Sequence, residues 1–141
     1  PVLDLSGAAY LSRVTAFSAD GRYFAWAADG KIQVADLSQN KKIASVTADR
    51  VHRLALSNDG RQLAYIAWTS KIDPGTRKLV KGKDDDVVRV LALPAGEEIA
   101  RCLGHEGYVY GLAFAADGNL LASGSADRSV RLWNLQPVPA E

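Results

Sequence analysis

The chain has 141 residues, 48% of them apolar and 23% charged, with a net charge of +1. That is the size of one ordinary domain with enough apolar residues for a core. Near-neutral charge gives no bulk pull toward nucleic acid or a membrane surface, so neither is expected as a partner. The longest apolar runs, such as Leu63 to Trp68, are far too short to span a bilayer. The one cysteine, Cys102, excludes an intramolecular disulfide and reads as a small core residue. The chain starts at Pro1 and contains no Met, so its first residue is not expected to be a native start. A cytoplasmic location is the expectation.

Taken in order, the chain reads as short strands with turn punctuation. Val2 to Leu5, Arg13 to Ser18, Tyr23 to Ala27 and Lys31 to Leu37 form a first set. Lys42 to Thr47, Val51 to Ser57, Gln62 to Trp68 and Val87 to Leu93 form a second. Glu98 to Leu103, Tyr108 to Ala115, Leu120 to Ser125 and Ser129 to Leu135 form a third. Asp-Gly follows a comparable strand-like run at Asp20, Asp59 and Asp117, and a further Asp-Gly, Asp29-Gly30, stands where Asp127-Arg128 stands in the last repeat. The first spacing is 59 − 20 = 39 residues; the second is 117 − 59 = 58, which implies an insertion. The extra length is residues 69–84, where Asp73-Pro74-Gly75 is a turn between two strand-compatible flanks. It is expected to be a hairpin that prolongs the strands beside it. In Ser129 to Leu135, alternation places Val130, Leu132 and Asn134 on one side and Arg131, Trp133 and Leu135 on the other.

Gly104 to Leu135 carries the most specific pattern. Gly104-His105 opens it, Asp117-Gly118 divides it, Asp127 sits in the tight turn and Trp133-Asn134 closes it. This stretch closely resembles one repeat of the WD-repeat β-propeller family. The first two repeats are degenerate, with Ala35-Asp36 and Leu91-Ala92 in place of Trp133-Asn134. The resemblance implies an all-β fold, a partial β-propeller of three four-stranded antiparallel blades. The propeller segment is 1–136, with repeats at 2–37, 41–93 and 97–135 and a tail at 137–141. It also implies a buried hydrogen-bond network of His105, Ser123, Asp127 and Trp133. An Asp-His-Ser set superficially suggests a hydrolase, but Trp133 belongs to the same set and the structural reading is preferred. The choice between Ser123 and Ser125 stays open. Asp84-Asp85-Asp86 reads as a solvated turn, with Asp85 in the tight-turn position, rather than a metal site. Gly75 to Lys83 fails as a phosphate loop, with six residues between its glycines and no Ser or Thr after the Lys. No metal or cofactor is expected.

Three blades do not close a ring that needs typically four to eight. The chain opens with an outermost strand and ends with an inner three-strand set. Self-association is therefore expected, as a six-bladed dimer before a nine-bladed trimer, with missing chain as the rival completion. By resemblance, the function is a non-enzymatic protein-interaction scaffold. Its contact positions fall at Leu11 and Arg13, Arg50 and His52, and Tyr108 and Tyr110. Lys71, Arg77 and Lys78 on the hairpin should rise from the same side. Arg and Tyr are hot-spot residue types, and such a face suits an acidic peptide or protein. The alternative is a small-ligand or carbohydrate-binding propeller using Trp26, Trp68 and Trp133 in pockets between blades.

Overall fold

The computed structural model describes residues 11–135. The expected strand Val2 to Leu5 and the tail at 137–141 lie outside them. Every described element is a β-strand. The first sheet joins β1 (Leu11–Phe17), β2 (Tyr23–Ala28), β3 (Lys31–Asp36) and β4 (Lys41–Thr47) in chain order. The second joins β5 (Val51–Leu56), β6 (Gln62–Ala67), β9 (Val88–Ala92) and β10 (Glu97–Cys102). The third joins β11 (Val109–Phe114), β12 (Leu120–Ser125) and β13 (Val130–Asn134). Between β6 and β9, β7 (Lys71–Ile72) pairs with β8 (Leu79–Val80). All pairings are antiparallel. The sequence repeats and the sheets are out of step by one strand. β4 opens the second repeat but forms the edge of the first sheet, and β10 does the same one repeat later.

The sheets pack face to face. Side chains alternate across each strand, so each sheet offers two faces. Ala25, Ala27, Ile32 and Val34 of the first sheet pack on Leu54, Leu56, Leu63 and Tyr65 of the second. On its other face the second sheet sends Ala64, Ile66, Val88 and Val90 against Val109 and Leu121 of the third. Ile32, Val34, Leu63, Ile66, Val88, Val90, Val109 and Leu121 are fully buried. Cys102 is buried in the second interface, and burial pushes its thiol pKa up.

The inserted hairpin departs from the expected smooth prolongation of the sheet. It is a two-strand ladder of its own, separated from β6 by Trp68, Thr69 and Ser70. Asp85 is the cause. Its carboxylate accepts from the backbone N–H of both Thr69 and Ser70, from the Thr69 hydroxyl and from the N–H of Gly82. Those donors are thereby held by one side chain at the base of the hairpin. Asp85 is fully buried, so the solvated-turn expectation for it is overturned. A carboxylate tolerates burial when several donors surround it.

The turns at Asp20-Gly21, Asp59-Gly60 and Asp117-Gly118 lie at the opposite end of the sheets from the hairpin, and the latter two form the joints between sheets. A Cβ added to Gly60 would lie 2.7 Å from the ring of Tyr23 in the preceding sheet. Gly60 also has φ 72°, which L side chains adopt only with strain. Gly60→Ala is expected to lower stability by about 1–2 kcal/mol from the backbone alone, with the ring contact added. Gly30→Ala is the control, since Gly30 has φ 73° and open space at its Cβ position. Urea unfolding of the two variants should show the larger loss at Gly60.

Candidate functional site

β5 and β11 begin at the end of the molecule where β6 and β12 finish, so that end collects their first residues, the hairpin and the Asp127 turn. Two arrangements lie there, one buried and one exposed.

The buried arrangement holds the third sheet together. His105 Nδ1–H donates to Asp127 Oδ2 over 2.8 Å. That leaves Nε2 as the acceptor for the Ser123 hydroxyl at 2.7 Å. Ser123 Oγ in turn accepts from Trp133 Nε1–H at 2.8 Å. Ser125 takes no part; its hydroxyl donates to Gly107 O. Asp127 also accepts from the Ser129 hydroxyl and N–H and from the Glu106 N–H. These donors, led by the Ser129 hydroxyl, hold its carboxyl below the ordinary range. Ser123 is buried under the indole, with His105 buried beside it. An acyl-transfer nucleophile needs an exposed hydroxyl; this one is spent as a junction, accepting from the Trp133 indole N–H and donating to His105 Nε2.

The exposed arrangement is an aromatic row running from the second sheet to the third. His52 lies 5.0 Å from Trp68, Trp68 lies 6.3 Å from Tyr108 and Tyr108 lies 6.4 Å from Tyr110, centroid to centroid. Trp68 is 45% exposed and Tyr110 52%. Lys81 Nζ sits 5.7 Å above the Tyr108 ring and is ion-paired with Asp86. Arg53 ties the two sheets under the row, donating to His52 O and Tyr110 O. Beside the row is a cleft of about 490 Å³ lined by Arg50, Trp68, Lys71 and Arg89 among others. Arg50 donates to Ser70 O at 2.7 Å, and Arg89 is paired with Asp84. Burial, and then the charge of Arg53, push the pKa of His52 down.

The positions named from the sequence are thus distributed unevenly. His52, Tyr108 and Tyr110 meet in the row, with Arg50 and Lys71 at its edge. Lys78 and Arg77 are exposed at the far end of the hairpin. Leu11 and Arg13 lie in β1. Of the three tryptophans considered for pockets between blades, Trp68 lines the cleft beside the row, and Trp26 and Trp133 are not among its lining residues. Trp26 is buried on the first sheet and Trp133 is held by Ser123, because each has its own packing or donor partner. The sequence reading missed Trp68 as part of this surface, and missed Arg53 and Lys81. The signal for Trp68 was its place immediately before the insertion. Among the described residues, no group of three or more His, Cys, Asp or Glu side chains could hold a metal ion.

Comparison with known proteins agrees with this architecture. Residues 96–134 match the family model for the WD domain, G-beta repeat. An uncharacterized WD repeat-containing protein of Synechocystis sp. is 30% identical over 136 residues, covering 94% of this chain and 34% of that protein. Transcription initiation factor TFIID subunit 5 of Drosophila melanogaster is 43% identical over 67 residues, 48% of this chain and 10% of that protein. Among solved structures, the WD40 repeats of RRP9 superpose with a TM-score of 0.64 at 23% identity, covering 95% of this chain and 38% of that one. The chain belongs to the WD-repeat family, and its sheets are blades of a partial β-propeller. It spans less than two fifths of each of these proteins.

Ser123→Ala would strand the indole N–H and the imidazole at once. The expected loss is about 1–3 kcal/mol in chemical denaturation, with Trp133 fluorescence reporting the change. The depressed carboxyls of Asp127 and Asp85 also give a pH signature. Each titrates lower in the folded chain than in the unfolded one, whose carboxyls lie near about 3.9. Their stabilisation is complete above that value and is lost as pH falls through the folded values. Urea midpoints measured from pH 7 downward should fall below about pH 4, and Asp85→Asn should flatten that fall.

Proposed function

We propose that this chain is a non-enzymatic protein-interaction platform, binding an acidic peptide segment across the row His52, Trp68, Tyr108 and Tyr110. The exposure of Trp68 and Tyr110 in one continuous row is the observation that carries it. Large rigid aromatics bind at low entropic cost and dominate interface energetics. Lys71 and Arg50 border the cleft beside the row, and Arg77 and Lys78 add positive charge at the far end of the hairpin, which together favour acidic residues in the partner. TFIID subunit 5 is by its name a component of a larger assembly, which suits a scaffold.

Trp68→Ala should weaken binding of an acidic aromatic-containing peptide by about 2 kcal/mol or more, roughly 30-fold. Fluorescence anisotropy against an acidic peptide library measures it. Lys71→Glu should slow association and reduce its salt dependence. Binding that survives loss of both Trp68 and Tyr110, or tighter binding to a glycan array than to any peptide, rejects this surface.

A further inference from the structure

We infer that the inserted hairpin, β7 with β8, is a lipid-contact element that docks this protein on an anionic membrane surface. Contact of this kind lies at the bilayer surface and does not span it. The hairpin's own shape, side chains and charge carry the inference, separately from the aromatic row at its base.

The hairpin stands clear of the blades. Every residue from 74 to 81 is exposed. At the base Asp85 gathers Thr69, Ser70 and Gly82, and a Cβ on Gly82 would collide with the main chain of Thr69 and Ser70. At the tip Asp73 Oδ1 accepts from the Thr76 N–H at 2.6 Å and from its hydroxyl at 3.0 Å. The Asp73 N–H donates to Lys78 O at 2.9 Å, which closes the turn. Both ends of the ladder are thus fixed, so contact with a partner needs little further ordering.

The ladder pairs Ile72 with Leu79 and Lys71 with Val80. Cross-strand partners share a face and successive residues alternate. Ile72 and Leu79 therefore stand on one face and Val80 on the other. They are 62%, 61% and 53% exposed, so neither face is covered by the protein. A rigid protein surface covers one face of such a ladder. A fluid bilayer interface surrounds both, which is what aliphatic side chains on the two faces of a protruding hairpin require.

Charge complements this. The whole-chain charge of +1 conceals an uneven distribution. Residues 71–83 hold five cations against the single carboxylate of Asp73, a local charge of 5 − 1 = +4, which leaves 1 − 4 = −3 for the rest. Lys81 is paired with Asp86. Lys71, Arg77, Lys78 and Lys83 have no carboxylate partner among the described residues. Clustered lysine and arginine are drawn to the negative surface of anionic lipids. Their long stems let the charged heads stay at the phosphates while Ile72 and Leu79 reach the acyl boundary.

Flotation of the chain with vesicles of about 70% phosphatidylcholine and about 30% phosphatidylserine tests this, against vesicles of phosphatidylcholine alone. Binding is expected to the anionic vesicles only, and to fall at least about tenfold between about 0.1 and about 0.5 M salt. Arg77→Glu with Lys78→Glu should weaken it at least about tenfold. Ile72→Ser with Leu79→Ser should weaken it at least about fivefold at unchanged charge. Circular dichroism should show the same strand content in both variants. A fluorophore on Leu79→Cys should shift to the blue on addition of anionic vesicles, while the buried Cys102 stays unlabelled. Trp68→Ala, aimed at the aromatic row, should leave vesicle binding unchanged.

A chain that ignores anionic vesicles, or binds both kinds equally, overturns the inference. A loss in Trp68→Ala as large as in the hairpin variants overturns its assignment to the hairpin. Full binding by Ile72→Ser with Leu79→Ser, with loss only in the charge variant, assigns the cations to an acidic protein and overturns the lipid contact.

Discussion

Burial of one sheet's apolar face against the next is the interaction on which the rest of this molecule depends. A single four-stranded sheet of this composition has apolar side chains on both faces. Neither face is stable in water by itself, so each blade is completed only by its neighbour. Ile32 and Val34 are shielded by the second blade, and Val88 and Val90 by the third. The close approach this needs is set at the Asp-Gly turns, where Gly60 leaves room for the ring of Tyr23. Hydrophobic burial supplies the attraction there, and backbone clearance sets the distance.

Polar groups then lock what burial has brought together. The Asp127–His105–Ser123–Trp133 chain of hydrogen bonds links the loop before β11, strand β12, the Asp127 turn and β13. Asp85 performs a similar task on different residues in the second blade, gathering Thr69, Ser70 and Gly82 at the base of the hairpin. Both carboxylates are satisfied by several donors, which is what allows them to stay charged in partly or fully buried positions. The same resemblance to catalytic geometry in the first of these is removed by burial and by the indole donor.

The exposed surface follows from the insertion. By ending β6 at Ala67 and holding Thr69 and Ser70 on Asp85, the chain leaves Trp68 at the open end of the second blade. There it meets His52 from β5 and Tyr108 from the approach to β11. Arg53 joins the two blades beneath them through main-chain carbonyls. A rigid aromatic row with cations at its margin thus rests on the same inter-blade packing as the core.

Much of this was readable from residue order. Alternation and Asp-Gly punctuation mark the strands and their turns, while the members of the buried network came from the resemblance carried by the Gly-His to Trp-Asn frame, and the choice of Ser123 over Ser125 from the structure. These signals are local, since strand alternation and turn chemistry act within a few residues. The position of Asp85 was not readable, because an Asp triplet looks solvated until Thr69, Ser70 and Gly82 converge on it from a distance of up to sixteen residues. Nor was the row of Trp68 with Tyr108, whose members belong to different blades. Strand identity and repeat frame were determined by the sequence alone, through short-range periodicity. Which faces meet, which carboxylate is buried and which aromatics stand together were decided by the tertiary structure, because those contacts join residues far apart in the chain.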